Sequence, residues 1–129
     1  MNAFAARARN VLVVEDEEML REMIVGELGD AGFNVLEAES GEAALALLES
    51  DPSIEILFTD IRLAGFLDGW QVAQRARALN PELHVIYASG YTVDRTGQVP
   101  DSTYVKKPYL PSAIIDEINR RLSGATAEA

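Results

Sequence analysis

Residues 54–60, which read I-E-I-L-F-T-D, decide how the rest of the chain can be arranged. Five of the first six positions are apolar or β-branched, a pattern typical of a strand buried on both faces at the centre of a parallel sheet. The strand ends on a carboxylate, Asp60. Ligands of open α/β sheets lie beyond the carboxyl ends of strands, so Asp60 is a candidate functional residue. From this strand alone, however, a capping role for Asp60 is favoured.

Length and composition indicate one globular domain. With 129 residues the chain can enclose one core, and we expect a single domain over residues 1–129 with its folded part at about 10–122. No stretch approaches the about 18 apolar residues of a membrane span. The absence of cysteine excludes disulfides and thiolate metal sites. The net charge of −10 disfavours nucleic acid and anionic membrane surfaces as partners, and we expect a cytoplasmic protein.

Short apolar runs alternate with helical patterns along the whole chain. Strands are predicted at residues 11–14, 34–38, 54–60, 84–88 and 103–105. Helices are predicted at residues 20–31, 41–50, about 70–79 and 110–122, with a short, weak fifth helix at 91–98. Strands in series with crossover helices form a parallel sheet covered on both faces. The sequence therefore predicts a doubly wound α/β domain with five parallel strands and five helices.

Polar side chains follow four of the five predicted strands. Glu15 and Asp16 follow the first strand, Asp60 ends the third, Ser89 follows the fourth and Lys107 follows the fifth. Each has an ordinary structural explanation by itself, such as a helix cap or a solvated side chain. Because parallel strands end at the same edge of a sheet, we expect the five residues to form one site.

The chemistry of that predicted site is specific. Three carboxylates held close together repel, and a set of oxygen ligands with room for water suits Mg²⁺. A metal, the Lys107 ammonium and the Ser89 hydroxyl would then surround a phosphoryl group on Asp60. Such an arrangement supports phosphoryl transfer with Asp60 as the carboxylate nucleophile.

At these residues the chain resembles the receiver domain of a two-component response regulator of the single-domain, chemotaxis-receiver-like kind. The resemblance covers roughly residues 10–122 and is carried, in order, by V-L-V-V-E-D-E-E, L-F-T-D-I, D-G-W, V-I-Y-A-S-G-Y and Y-V-K-K-P-Y. It implies a flavodoxin-like fold with strand order 2-1-3-4-5. It also implies a signalling protein that catalyses only its own phosphorylation and dephosphorylation, with no output domain on this chain.

The resemblance implies a role for each site residue. Asp60 would accept the phosphoryl group from a phosphohistidine. Glu15, Asp16, Asp60 and the backbone carbonyl of Arg62 would bind Mg²⁺. Lys107 would bind the phosphoryl oxygens.

The resemblance also implies a switch and partners. The Ser89 hydroxyl would follow the phosphoryl group while Tyr104 turns inward, and the bond from Lys107 to Pro108 would be cis. The phosphodonor would be a histidine kinase or a histidine phosphotransfer protein. The face around residues 91–109 would bind a downstream protein or a second copy of the chain.

Two departures from the family pattern and two other function classes remain at this point. The loop after the acceptor has Ala64 in place of the usual proline and is one residue longer, so we expect a more mobile, differently shaped loop.

An aspartyl-phosphate hydrolase would need a second Asp two residues after the first, where this chain has Arg62. A flavin-binding electron carrier would bind a phosphate at residues 15–18, whose four carboxylates would repel it.

Overall fold

The computed structural model describes residues 8–90 and 97–124. The strands are Asn10–Val14 (β1), Asn34–Ala38 (β2), Ile56–Asp60 (β3), His84–Ser89 (β4) and Ser102–Lys106 (β5). The helices are Glu18–Asp30 (α1), Gly41–Ser50 (α2), Gly69–Leu79 (α3) and Pro111–Ser123 (α4). No helix among these residues is long and apolar enough to cross a bilayer.

All five strands are parallel and lie in the order β2-β1-β3-β4-β5, as predicted. The central strand β3 is buried at every position, which explains its unbroken apolar sequence. It begins at Ile56, two residues later than predicted, because the amide of Ile54 donates instead to the carbonyl of Asp51 and closes a turn. The order places β1, β3 and β4 side by side, with their carboxyl ends at one edge.

Four helices, not the predicted five, lie within the described residues. The predicted fifth helix at 91–98 falls mainly on residues 91–96, which lie outside them. Two of the helices begin at side-chain caps: the Ser40 hydroxyl accepts from the amide of Ala43 at 3.1 Å in α2. Asp68 and Gln71 form a reciprocal capping box that starts α3.

Two apolar cores lie on opposite faces of the sheet. Alternate residues of β1 point to each face, so Leu12 belongs to one core and Val13 to the other. Buried residues of α2 and α3 complete the first core, and buried residues of α1 and α4 complete the second. The helices therefore cover both faces, which confirms the doubly wound architecture.

A buried arginine ties α4 to the start of β5. Arg121 is only 8% exposed, and its guanidinium donates to the carbonyl of Asp101 at 2.9 Å and to the hydroxyl of Thr103 at 2.8 Å. Its charge is balanced by Asp101, at 3.1 Å, and by Glu117, at 3.3 Å. A buried cation needs such partners, so this cluster fixes the last helix against the edge strand.

Candidate phosphoacceptor and metal site

Three strand ends meet at one ammonium group. The Nζ atom of Lys107, just after β5, donates to Oε1 of Glu15 at 2.9 Å and to Oδ2 of Asp60 at 3.1 Å. Glu15 follows β1 and Asp60 ends β3, and their side chains are almost completely buried. The second oxygen of Glu15 accepts from the amide of Glu17 at 3.1 Å. The predicted convergence of these residues at the carboxyl edge of the sheet is confirmed.

The pocket carries more negative than positive charge. Burial raises the pKa values of the Glu15 and Asp60 carboxyls, and their bonds to Lys107 only partly offset the rise. Burial also disfavours the charge of Lys107, but the two carboxylates outweigh it and raise the pKa of the ammonium. Two nearly buried carboxylates therefore share one cation, which leaves the site short of positive charge.

Asp16 completes an acidic cluster with these two residues. One carboxylate oxygen from each of Glu15, Asp16 and Asp60 lies within 4.8 Å of the others. Unlike its two neighbours, Asp16 is exposed, and all three line an open cavity of about 660 Å³ together with Glu17, Arg62, Gly90 and Lys107. A set of hard oxygen donors beside open space fits a divalent cation that keeps part of its water shell, as Mg²⁺ does.

The backbone of Asp60 is held from behind by the start of α3. The amide of Gly69 donates to the carbonyl of Ile61 at 2.8 Å. A Cβ on Gly69 would lie 2.8 Å from Cα of Ile61 and closer still to the carbonyl oxygen of Asp60. Only glycine allows this approach, so the loop between β3 and α3 closes tightly on Asp60.

The β3–α3 loop, residues 61–68, is bonded to the rest of the domain at two further points. The amide of Ala64 donates to Oδ2 of Asp16 at 3.1 Å, and the amide of Phe66 donates to Oε2 of Glu42 at 3.0 Å. Gly65 between them has a φ of 97°, a conformation that glycine adopts readily. Neither bond was predicted, because a backbone donor in a loop leaves no trace in the residue pattern.

Ser89 and Tyr104 lie on neighbouring strands beside this site. Ser89 is fully buried at the end of β4, and its carbonyl accepts from the amide of Lys107 at 2.8 Å. Tyr104 pairs in register with Tyr87, so the two rings lie on the same face of the sheet. Lys106 is exposed, and the peptide bond from Lys107 to Pro108 is cis, as the resemblance implies.

Tyr87 was not singled out in the sequence, yet it anchors the segment before β5. Its ring is fully buried, and its hydroxyl accepts from the amide of Val99 at 3.1 Å. The ring centroid lies 4.5 Å from that of Trp70 on α3, so the two aromatic rings pack against each other. Because Tyr87 lies in a continuous apolar run, only its hydroxyl distinguishes it in the sequence from an ordinary core residue.

The profile of the response regulator receiver domain matches residues 11–119. This chain belongs to the response regulator receiver family. The receiver is 27% identical over 121 residues to the response regulator receiver protein CpdR of Brucella abortus, covering 91% of this chain and 99% of CpdR. It is 33% identical over 102 residues to a cyclic di-GMP phosphodiesterase of Thermotoga maritima, covering 76% of this chain but only 27% of that protein.

A solved structure shares the fold and 34% of the aligned sequence of this receiver. The crystal structure of a response regulator receiver protein from Sinorhizobium medicae superposes with a TM-score of 0.86 at 34% identity, covering 92% of this chain and 98% of that one. Together with the family match, this likeness supports a receiver rather than a hydrolase or a flavin carrier. The presence of Arg62 two residues after Asp60 agrees with that assignment.

Proposed function

We propose that this receiver accepts a phosphoryl group from a phosphohistidine onto Asp60, in a Mg²⁺-dependent reaction, and thereby switches a protein-interaction face. The observation that carries the proposal is the position of Asp60. It ends the buried central strand, bonds to the Lys107 ammonium and lines an open cavity beside two further carboxylates. Receivers of response regulators are partners of histidine kinases, so the donor would be such a kinase or a histidine phosphotransfer protein.

The transfer makes one bond and breaks one. An Asp60 carboxylate oxygen forms a bond to phosphorus as the bond from the histidine nitrogen to phosphorus breaks. That nitrogen keeps the electron pair and leaves as neutral imidazole, because the other ring nitrogen of the phosphohistidine carries a proton. Asp60 must be ionised to attack, and the Lys107 ammonium at 3.1 Å favours the ionised form. The same ammonium is within reach of the oxygens of an incoming phosphoryl group.

Glu15 and Asp16 are the residues that would hold the metal beside Asp60. A bound Mg²⁺ would neutralise charge on the phosphoryl oxygens. Without it, the surplus negative charge of the cluster would repel a phosphoryl group. The backbone carbonyl of Arg62 stays a predicted ligand, supported by the position of Arg62 on the wall of the same cavity.

The switch would start at Ser89 and reach Tyr104. Ser89 lies one residue from the cavity wall at Gly90, and Tyr104 lies beside Tyr87 on the neighbouring strand. A shift of the Ser89 hydroxyl toward the phosphoryl group would open space for the Tyr104 ring to turn inward. The face around residues 91–109 would then bind a downstream protein or a second copy, with the receiver catalysing only its own phosphorylation and dephosphorylation.

Intact mass spectrometry after incubation with Mg²⁺ and acetyl phosphate tests the proposal. The native chain and a control variant, Asp116→Asn on the exposed surface of α4, should each gain one phosphoryl group. Asp60→Asn should gain none, and chelation of Mg²⁺ with EDTA should abolish labelling of the native chain. Equal labelling of the native chain and Asp60→Asn, or no labelling of either, would overturn the assignment of Asp60.

A further inference from the structure

We propose that the β3–α3 loop positions Asp16 for metal binding, with the Ala64 amide as the group that orients the carboxylate and Glu42 as the residue that holds the loop. The inference rests on the proposed function in taking Asp16 as a metal ligand. Ala64 and Glu42 would be positioning residues, since they act on the cation only through Asp16.

The three carboxylates of the cluster are held in different ways. Lys107 bonds to Glu15 and to Asp60, and both of those side chains are buried. Asp16 is exposed, and the hydrogen bond to its side chain comes from the Ala64 amide, at 3.1 Å to Oδ2. An exposed side chain without such a bond samples several rotamers, and binding a metal would have to fix one of them.

The Ala64 amide can orient Asp16 only if the loop itself is fixed. Glu42, in the first turn of α2, accepts from the amide of Phe66, two residues after Ala64, at 3.0 Å. A Cβ on Gly65 would lie 2.8 Å from Oε1 of Glu42, so the carboxylate also packs directly under the turn. The base of the loop is closed at Gly69, and Glu42 is therefore the side chain that holds its far end.

The Asp16 carboxylate therefore has two sets of neighbours, the loop amide and the acidic cluster. Oδ2 accepts from the Ala64 amide, and the carboxylate is one of the three whose oxygens lie within 4.8 Å of one another. Hydrogen bonds that orient metal ligands commonly contribute 10- to 100-fold to metal affinity. Because the loop acts on an exposed ligand, we expect the lower end of that range, about 10-fold.

Four variants of the full chain separate the proposed roles. Ala64→Pro removes the amide hydrogen, while Ala64→Ser keeps it. Glu42→Ala removes the acceptor for Phe66, while Glu42→Gln keeps an acceptor oxygen and removes the charge. Glu49→Ala, at the exposed far end of α2, is the control for loss of a carboxylate from that helix.

Two measurements test the inference: Mg²⁺ affinity by calorimetry and hydrogen exchange of the loop amides by NMR. We expect Ala64→Pro and Glu42→Ala each to weaken Mg²⁺ binding about 10-fold. Glu42→Ala should also accelerate exchange at the amides of Ala64 and Phe66. Ala64→Ser, Glu42→Gln and Glu49→Ala should bind Mg²⁺ within about threefold of the native chain, since each keeps both loop bonds.

Three results would contradict the inference. Native Mg²⁺ affinity in both Ala64→Pro and Glu42→Ala would overturn it while leaving the proposed function intact. Equal losses in Glu42→Gln and Glu42→Ala would show that charge, not the hydrogen bond to Phe66, is responsible. If the native chain neither binds Mg²⁺ nor is labelled by acetyl phosphate, the proposed function fails, and the role given to Asp16 fails with it.

Discussion

Replacing Asp60 by asparagine should stabilise the fold when no divalent cation is present. The substitution keeps the shape of the side chain and removes one of three clustered negative charges. The three carboxylate oxygens lie within 4.8 Å of one another, and at an effective dielectric constant of about 20 two charges at that limit repel by about 3.5 kcal/mol. Asp60 therefore meets two repulsions of about this size. The attraction between Asp60 and the ammonium of Lys107, at 3.1 Å, is about 5 kcal/mol on the same scale.

The repulsions therefore exceed the attraction by a small margin. Solvent weakens the term from Asp16, which is exposed, whereas the burial of Asp60 adds a cost to its charge. We expect Asp60→Asn to raise the free energy of unfolding by about 1–2 kcal/mol, which corresponds to about 3–8 °C in Tm. The measurement is urea unfolding followed by circular dichroism at pH 7.5 in EDTA, with Asp116→Asn as the control for charge removal.

The pH dependence gives a second check on the same reasoning. Burial raises the pKa values of Glu15 and Asp60 in the folded state, so the folded protein takes up protons before the unfolded chain does. The native protein should therefore gain stability as the pH falls through the raised pKa values of these two carboxyls toward about 4, the pKa of the same groups in the unfolded chain. The advantage of Asp60→Asn should shrink over that range. A variant less stable than the native chain at pH 7.5 would refute the electrostatic account.

Two more substitutions probe the frame around the site. Gly69→Ala should destabilise the fold by about 2 kcal/mol or more, because its Cβ would collide with the backbone of Asp60. In contrast, Gly29→Ala should stabilise α1 by about 0.5–1 kcal/mol, because a Cβ there meets nothing within 4 Å. Arg121→Ala should cost about 2–3 kcal/mol in urea unfolding, because it removes the buried guanidinium that donates to the Asp101 carbonyl and the Thr103 hydroxyl. Arg120→Ala, which removes an exposed partner of Glu117, should cost under about 1 kcal/mol. Equal effects within either pair would contradict the assigned contacts.

Strand order and the convergence of the site residues could be predicted, because both depend on the burial pattern and end of each strand, which are visible in the local sequence. The run from Ile56 to Asp60 is buried on both faces, so its composition identifies the central strand. The parallel arrangement then brings Glu15, Asp60 and Lys107 to one edge without any knowledge of side-chain contacts. Helix ends could be predicted where a side chain caps them, as Ser40 does for α2.

The contacts that could not be predicted are those made by backbone groups across the fold. The amide of Ala64 and the amide of Val99 find their partners, Asp16 and Tyr87, only after the loops have closed. Any residue except proline could supply such a donor, so the residue type gives no warning. Ala64 in place of the usual proline predicts a more mobile loop, but its amide is a donor that proline lacks.

The contact between Trp70 and Tyr87 makes the protein its own optical probe. Trp70 is the only tryptophan in the chain, and its indole packs against Tyr87 and against the backbone of Gly97. Gln74 on the same helix donates to the carbonyl of Gly97 at 3.0 Å, so the indole stands where α3 meets the segment that leads into β5. Intrinsic tryptophan fluorescence therefore reports on the contact between α3 and the chain at Gly97, with no dye attached and no background from a second indole.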